Sequence, residues 1–271
     1  MPKDDVVMNF LDIENKTFFI TGVANKKSVA YFSAKVLKEA GAQLIFSVQR
    51  EEQLAKVEKL FPDSTIYLMD VEKEETIDHI ASSLKEKGVK LSGLLHSIAF
   101  ANLLEPKPYH ETSWEDWAQA DRISCFSLAQ ICGKFKELFC EDASVVTISI
   151  SDTLATSYGF MGPIKASLNA SVAYLAKSFS EFSKVRFNAV WAGPLKTSAS
   201  AGIPGYIDNY LFAEQLTMRK EALKTTEVAD TVAFLLSPRA SGINGTGIRV
   251  DAGLRANGFD QAVVKTVANN I

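Results

Sequence analysis

The stretch Thr17-Phe18-Phe19-Ile20-Thr21-Gly22-Val23-Ala24-Asn25-Lys26-Lys27-Ser28-Val29-Ala30 decides how the chain folds. Residues 17–20 are β-branched or aromatic, and so nearly continuous an apolar run suits a strand covered on both faces. Gly22 leaves the strand. Ser28 then opens a helix over 29–40, which stops at Gly41. Strand, glycine-bearing turn and helix start together make the first half of a βαβ unit.

The same rhythm repeats outward. Strands are predicted at 43–48, 65–69, 94–97, 145–149, 185–190 and 247–250, with helical segments between them, among them 49–59 and 166–180. Most of the strands are continuous apolar runs, so the sheet is parallel and its crossovers are helical. The expected architecture is α/β: one Rossmann-type doubly wound parallel sheet of about seven strands, with helices on both faces, in a single domain over residues 1–271. Such a sheet binds ligands beyond the carboxyl ends of its strands, where the strand order reverses. Two long segments, 100–117 and 198–223, fall at that end, and the second reads as a lid.

Composition narrows the function. A formal net charge of -3 suggests neither nucleic acid nor an acidic membrane as partner. The start lacks the pattern of a secretory signal, and no apolar stretch approaches the ~20 residues of a membrane span. Cys125, Cys132 and Cys140 are odd in number and unpaired in spacing, and read as reduced thiols of a cytoplasmic protein. His79, His96 and His110 are scattered, and no metal site is expected.

Several residues at the strand ends carry chemistry. Backbone N–H groups at the helix start after Gly22 suit a pyrophosphate. The G-x-G-x-x-G pattern is absent, so read alone the stretch is equally a plain turn. Gln49-Arg50 stands where many NAD-binding folds place a carboxylate on the adenosine ribose. Asp70-Val71 ends the third strand and could meet adenine or simply make a turn. Tyr158 and Lys165 are separated by six residues at the head of the 166–180 helix. That spacing of about two turns lets both project from one side. A lysine there would ease phenolate character in the tyrosine by charge attraction. Without context the favoured reading of the pair is a packed tyrosine and a solvated lysine.

Taken in order, these residues resemble the enoyl-acyl carrier protein reductases of the short-chain dehydrogenase/reductase superfamily. The resemblance runs from about Leu11 to Phe259. It rests on Thr21-Gly22-Val23-Ala24-Asn25 with Ser28-Val29-Ala30, on His96-Ser97-Ile98-Ala99-Phe100-Ala101, and on Tyr158-x6-Lys165-Ala166-Ser167-Leu168 enclosing Met161-Gly162. Arg186-Phe187-Asn188-Ala189, Ala192-Gly193-Pro194 with Thr197, and Val250-Asp251-Ala252-Gly253 complete it. The six-residue gap separates this branch from ordinary ketone reductases, which have three.

The resemblance implies reduction of the 2,3-double bond of an enoyl thioester by NADH, NADPH being the alternative, within fatty acid biosynthesis. Tyr158 and Lys165 would be catalytic. Gly22, Ala24, Ser28, Val29, Gln49, Asp70, Val71, Ser97, Ile98, Ala99, Ile148, Lys165, Gly193, Pro194, Leu195 and Thr197 would line the cofactor. Phe100, Ile150, Met161, Ala201, Ile203 and Tyr206 would line the substrate, carried as an acyl thioester on acyl carrier protein or coenzyme A. A homotetramer is implied as well.

The chain departs from the family pattern in three ways. Ile150 stands where a second tyrosine is usual, the 150–158 loop is about two residues short and lacks its glycine, and the lid carries Pro204, Ile207 and Asp208 where basic residues are usual. Reduction of another carbonyl or enoyl substrate is the neighbouring reading, and an idle nucleotide-binding homologue the more distant one.

Overall fold

The structure is a computed structural model. It describes residues 10–103, 107–150, 156–197, 200, 203 and 205–269. The first half of the chain alternates β1 (Thr17–Thr21), α1 (Val29–Glu39), β2 (Gln43–Val48), α2 (Glu51–Leu60), β3 (Thr65–Leu68), α3 (Glu74–Glu86) and β4 (Leu91–His96). Then come α4 (Trp114–Asp121), α5 (Ser127–Phe135), β5 (Phe139–Ile150), α6 (Met161–Phe179) and β6 (Arg186–Ala192). The last elements are α7 (Tyr206–Leu216), α8 (Thr225–Leu236), β7 (Thr246–Val250) and α9 (Gln261–Ala268).

The seven strands form one sheet in the order β3-β2-β1-β4-β5-β6-β7, every pairing parallel. The order reverses between β1 and β4, which places the ligand crevice there. Alternation along each strand sends neighbouring side chains to opposite faces. Phe19, Leu94, Val145 and Phe187 pack on one face with residues of α3, α5 and α6. Phe18, Phe46, Leu95 and Val190 pack on the other with α1 and α8. The closeness of this packing explains Gly93 in β4, where an added Cβ would lie 2.5 Å from the Ser144 carbonyl oxygen and 2.9 Å from the Phe18 ring.

Some boundaries differ from those read in the sequence. β4 starts three residues early because Ser92 and Gly93 interrupt the apolar run without interrupting the ladder. β5 starts at Phe139, with exposed Glu141 and Asp142 hiding its first half. α6 starts at Met161 because Pro163 lies in the first turn, where no N–H is required. Tyr158 is therefore outside the helix. It ends a 3-10 turn over Thr156–Tyr158, and Gly159 follows with φ +57°. The long segments contain order of their own: a 3-10 turn, Tyr109–Glu111, and the start of α4 lie within 100–117, and α7 lies within 198–223; a π-turn, Arg122–Phe126, then joins α4 to α5.

Candidate active site

The crevice is built first from backbone. Gly22 has φ +80°, and a Cβ there would lie 1.9 Å from the Ser97 carbonyl oxygen, so the two strand ends touch. Thr21 ties them: its hydroxyl donates to the Leu95 carbonyl and accepts from the Ser97 N–H, both at 3.0 Å. Ser28 caps α1, accepting from the Tyr31 N–H at 3.1 Å and donating to the Asn25 carbonyl. The first turn of α1 has no acidic residue, and the N–H groups of Val29 and Ala30 have no carbonyl within their own helix. This donor set, at the positive end of a helix dipole and beside Gly22, fits a pyrophosphate.

Gln49 and Arg50 follow β2, both exposed. Their backbone N–H groups both donate to Gln53 Oε1, at 3.0 and 3.1 Å, which fixes the turn and leaves the Gln49 and Arg50 side chains facing solvent. Arg50 is the capping residue of α2, as its place at the helix start suggested. Asp70 makes a turn of its own, its Oδ1 accepting from the Glu72 N–H, with Lys73 3.6 Å away. Val71 beside it is buried.

Lys165 is 5% exposed, and its Nζ donates to the Ile148 carbonyl at 3.0 Å. Burial lowers its pKa to about 8. An ammonium has three donors, so one bond to Ile148 leaves two for a ligand. Tyr158 is half-buried; burial first, and neighbouring Tyr206 second, push its phenol up to about 12. The expected easing of phenolate character by Lys165 therefore does not prevail. The phenol is off the helix and desolvated, and stays a neutral donor at physiological pH.

Beyond β6, an added Cβ at Gly193 would lie 3.1 Å from the Asp251 Cβ, and Pro194 follows. Leu195, Thr197, Ser200 and Tyr206 form a clasp. The Tyr206 hydroxyl donates to the Leu195 carbonyl and accepts from its N–H, both at 2.8 Å. Ser200 donates to the same carbonyl at 2.8 Å and accepts from the Thr197 N–H at 2.9 Å. Ser200 is a residue the sequence reading missed; only its place in the lid hinted at it.

The remaining residues divide. Ser97 and Ile98 are half-buried, and Ala24, Ala99 and Phe100 are exposed at the rim. Ile150 ends β5 and is half-buried, Met161 is buried and Ile203 half-buried. Ala201 lies outside the described residues. Three hydroxyls hold the crevice together: Thr21 figures in the sequence reading only within the Thr21–Asn25 motif, and Ser124 and Ser127 do not figure there at all. Ser and Thr among apolar residues in a strand or helix give no pattern to distinguish them.

A parallel sheet with a helix N-terminus at its switch point, and a Tyr–Lys pair beyond β5, define a nicotinamide-dependent oxidoreductase of the short-chain dehydrogenase/reductase class. Residues 22–255 match the family model described as enoyl-(acyl carrier protein) reductase. The chain is 35% identical over 254 residues to the NADPH-type enzyme FabI of Staphylococcus aureus (strain MRSA252), covering 91% of this chain and 99% of that one. It is 34% identical over 259 residues to the NADH-type FabI of Nostoc sp., covering 92% and 100%. The crystal structure of the NADH enzyme from Aquifex aeolicus VF5 matches with a TM-score of 0.86 at 31% identity, over 91% of this chain and 98% of that one. The chain belongs to the enoyl-acyl carrier protein reductases.

Proposed function

We propose that this chain reduces the 2,3-double bond of an enoyl thioester in fatty acid biosynthesis, as one catalytic domain with a lid over 198–223. The observation that carries this reading is the buried ammonium of Lys165 beside the switch-point crevice, with the protonated phenol of Tyr158 held near the lid residue Tyr206. A nicotinamide cofactor, when bound, would supply the hydride. Gly22, Ala24, Ser28 and Val29 receive the pyrophosphate and its ribose. Gln49 faces the adenosine ribose, and Asp70 and Val71 the adenine. Ser97, Ile98 and Ala99, with Ile148, Gly193, Pro194, Leu195 and Thr197, would hold the nicotinamide half of the cofactor. Lys165 uses its two remaining donors on ribose hydroxyls. Tyr158 donates to the thioester oxygen as enolate charge builds there, a role commonly worth about 3–4 kcal/mol. Phe100, Ile150, Met161, Ala201, Ile203 and Tyr206 enclose the acyl chain.

NADH is the preferred cofactor in this reading. Gln49 offers a ribose neutral partners, and Gln53 occupies both backbone N–H groups that a 2′-phosphate could use. Arg50 is the group that would reverse the preference. A homotetramer in the cytoplasm is the working form, supported by the exposed aromatic side chains of Phe126, Tyr174, Phe182 and Phe259. The deciding experiment follows loss of reduced-nicotinamide absorbance with a crotonyl thioester, using NADH and NADPH in parallel. No reduction with either would move the function to another substrate on the same fold.

A further inference from the structure

The segment 97–100 crosses the floor of the crevice, and the turn that holds it has an unusual hydrogen-bond pattern. In the π-turn Arg122–Phe126, the Ser127 N–H bonds to the Arg122 carbonyl, five residues back. In an α-helix it would take the Ile123 carbonyl. The carbonyl thereby released accepts instead from the Ser127 hydroxyl, at 2.7 Å.

That one bond has a consequence across the sheet. The Ser127 hydroxyl has a single proton and has given it to Ile123, so toward His96 Nε2, 2.9 Å away, it can only accept. His96 Nε2 therefore carries a hydrogen. The ring is fully buried, and burial foremost, with the charge of Lys165 second, lowers its pKa to about 3, so it is neutral. Nδ1 is then bare and accepts from the Thr147 hydroxyl at 2.9 Å. Three residues before Ser127, Ser124 makes the matching bonds at the far end of the segment. Its hydroxyl donates to the Phe100 carbonyl and accepts from the Phe100 N–H, both at 2.9 Å.

We propose that the π-turn positions the floor of the cofactor and substrate site. His96, as its Nε2–H tautomer, and Ser124 grip the two ends of segment 97–100, with Thr21 holding Ser97 between them. His96, Ser124 and Ser127 are positioning residues: each acts through the backbone of 97–100 and not on the reacting atoms. The proposal rests on the reading of that segment as the cofactor floor. The His96 end governs nicotinamide binding, and the Ser124 end, through Phe100, governs the acyl chain.

Two measurements on the unaltered protein come first. Imidazole nitrogen shifts should show His96 protonated at Nε2 and bare at Nδ1, and the Phe100 amide should exchange slowly. An Nδ1–H tautomer, or a Phe100 amide exchanging like that of an open loop, overturns the clamp without any substitution. Ser127→Ala should then raise the NADH Kd, read by fluorescence titration, by about tenfold, the scale of one lost hydrogen bond. Ser124→Ala should raise KM for the crotonyl thioester by about tenfold while changing the NADH Kd less than twofold, a split that general loosening would not produce. Parental Kd and KM in both folded variants overturn the proposal. An unaltered protein that binds NADH but reduces no enoyl thioester removes the proposed reaction and leaves the Kd comparison to decide the clamp. One that binds no NADH overturns both.

Discussion

Tyr158 contributes through its hydroxyl alone in this account, because its ring position is set by the 3-10 turn and by Gly159. Tyr158→Phe should therefore keep the fold and NADH affinity while lowering kcat by about 10²-fold or more, the scale of one oxyanion donor. Steady-state rates with a melting curve on the same sample test this, and near-parental kcat removes Tyr158 from the mechanism. Lys165→Ala should weaken NADH binding as well as turnover, measured by cofactor fluorescence; unchanged values in both would make Lys165 a packing residue. His96 gives a pH signature of its own. The folded ring stays neutral down to about pH 3, whereas the unfolded ring takes up a second proton near its ordinary 6.5. Between those values the unfolded chain binds the extra proton, so stability is lost as pH falls through the window, by up to about 1.4 kcal/mol per pH unit from this group. Denaturant midpoints against pH should show a shallower acid slope in His96→Gln, and equal slopes would refute the buried neutral ring.

At the scale of elements, α8 ends against a buried cation. Arg186 at the head of β6 donates to the Ala240 and Ser237 carbonyls at 2.9 Å and to Leu235 at 3.2 Å. These are acceptors that the end of a helix leaves open, and a guanidinium fork reaches several at once. Arg186→Lys keeps the charge but not the fork and should cost about 2 kcal/mol, because at least one buried carbonyl loses its partner. Urea unfolding measures it, and parental stability would show that water replaces the fork. The elements also show what could be read in advance. Seven strands and their parallel direction followed from apolar runs separated by helical spacing, and Ser28 as the cap of α1 followed from residue type. The π-turn did not, because its i−5 bond depends on tertiary packing, here against α6, and Arg122-Ile123-Ser124-Cys125-Phe126 reads like any helix. The clasp of Ser200 and Tyr206 on Leu195 was hidden for the same reason: its hydroxyls meet backbone groups, which have no sequence signature.

For the whole molecule, charge around the lid decides how a carrier-bound substrate arrives. α7 exposes Ile207, Leu211 and Phe212 and carries Asp208 but no lysine or arginine. Two of the four cations that flank the lid in sequence are engaged: Arg219 bonds Glu227 at 2.7 Å and Lys220 pairs with Asp260, while Lys196 and Lys224 are the other two. Long-range attraction for an acidic carrier protein is accordingly weak here. The kcat/KM advantage of carrier-linked over coenzyme A-linked crotonyl substrate should be small and nearly flat from low to high salt, over which the screening length falls from ~10 Å at 0.1 M to ~3 Å at 1 M. A large advantage that collapses with salt would place a basic docking patch elsewhere on the surface.

The strand order also has a consequence during synthesis. β1 leaves the ribosome before β4, yet one of its two hydrogen-bonding edges belongs to β4, with Phe18 against Gly93 and Ile20 against Leu95. Some seventy residues separate the partners in sequence, several seconds of translation at about 5–20 residues per second. Throughout that interval the nascent chain presents an unpaired edge on a strand destined for the interior, the kind of edge that recruits other chains. β1 is thus made well before the sheet around it can be completed, and its shielding falls to whatever holds the emerging chain until Leu91 and its neighbours appear.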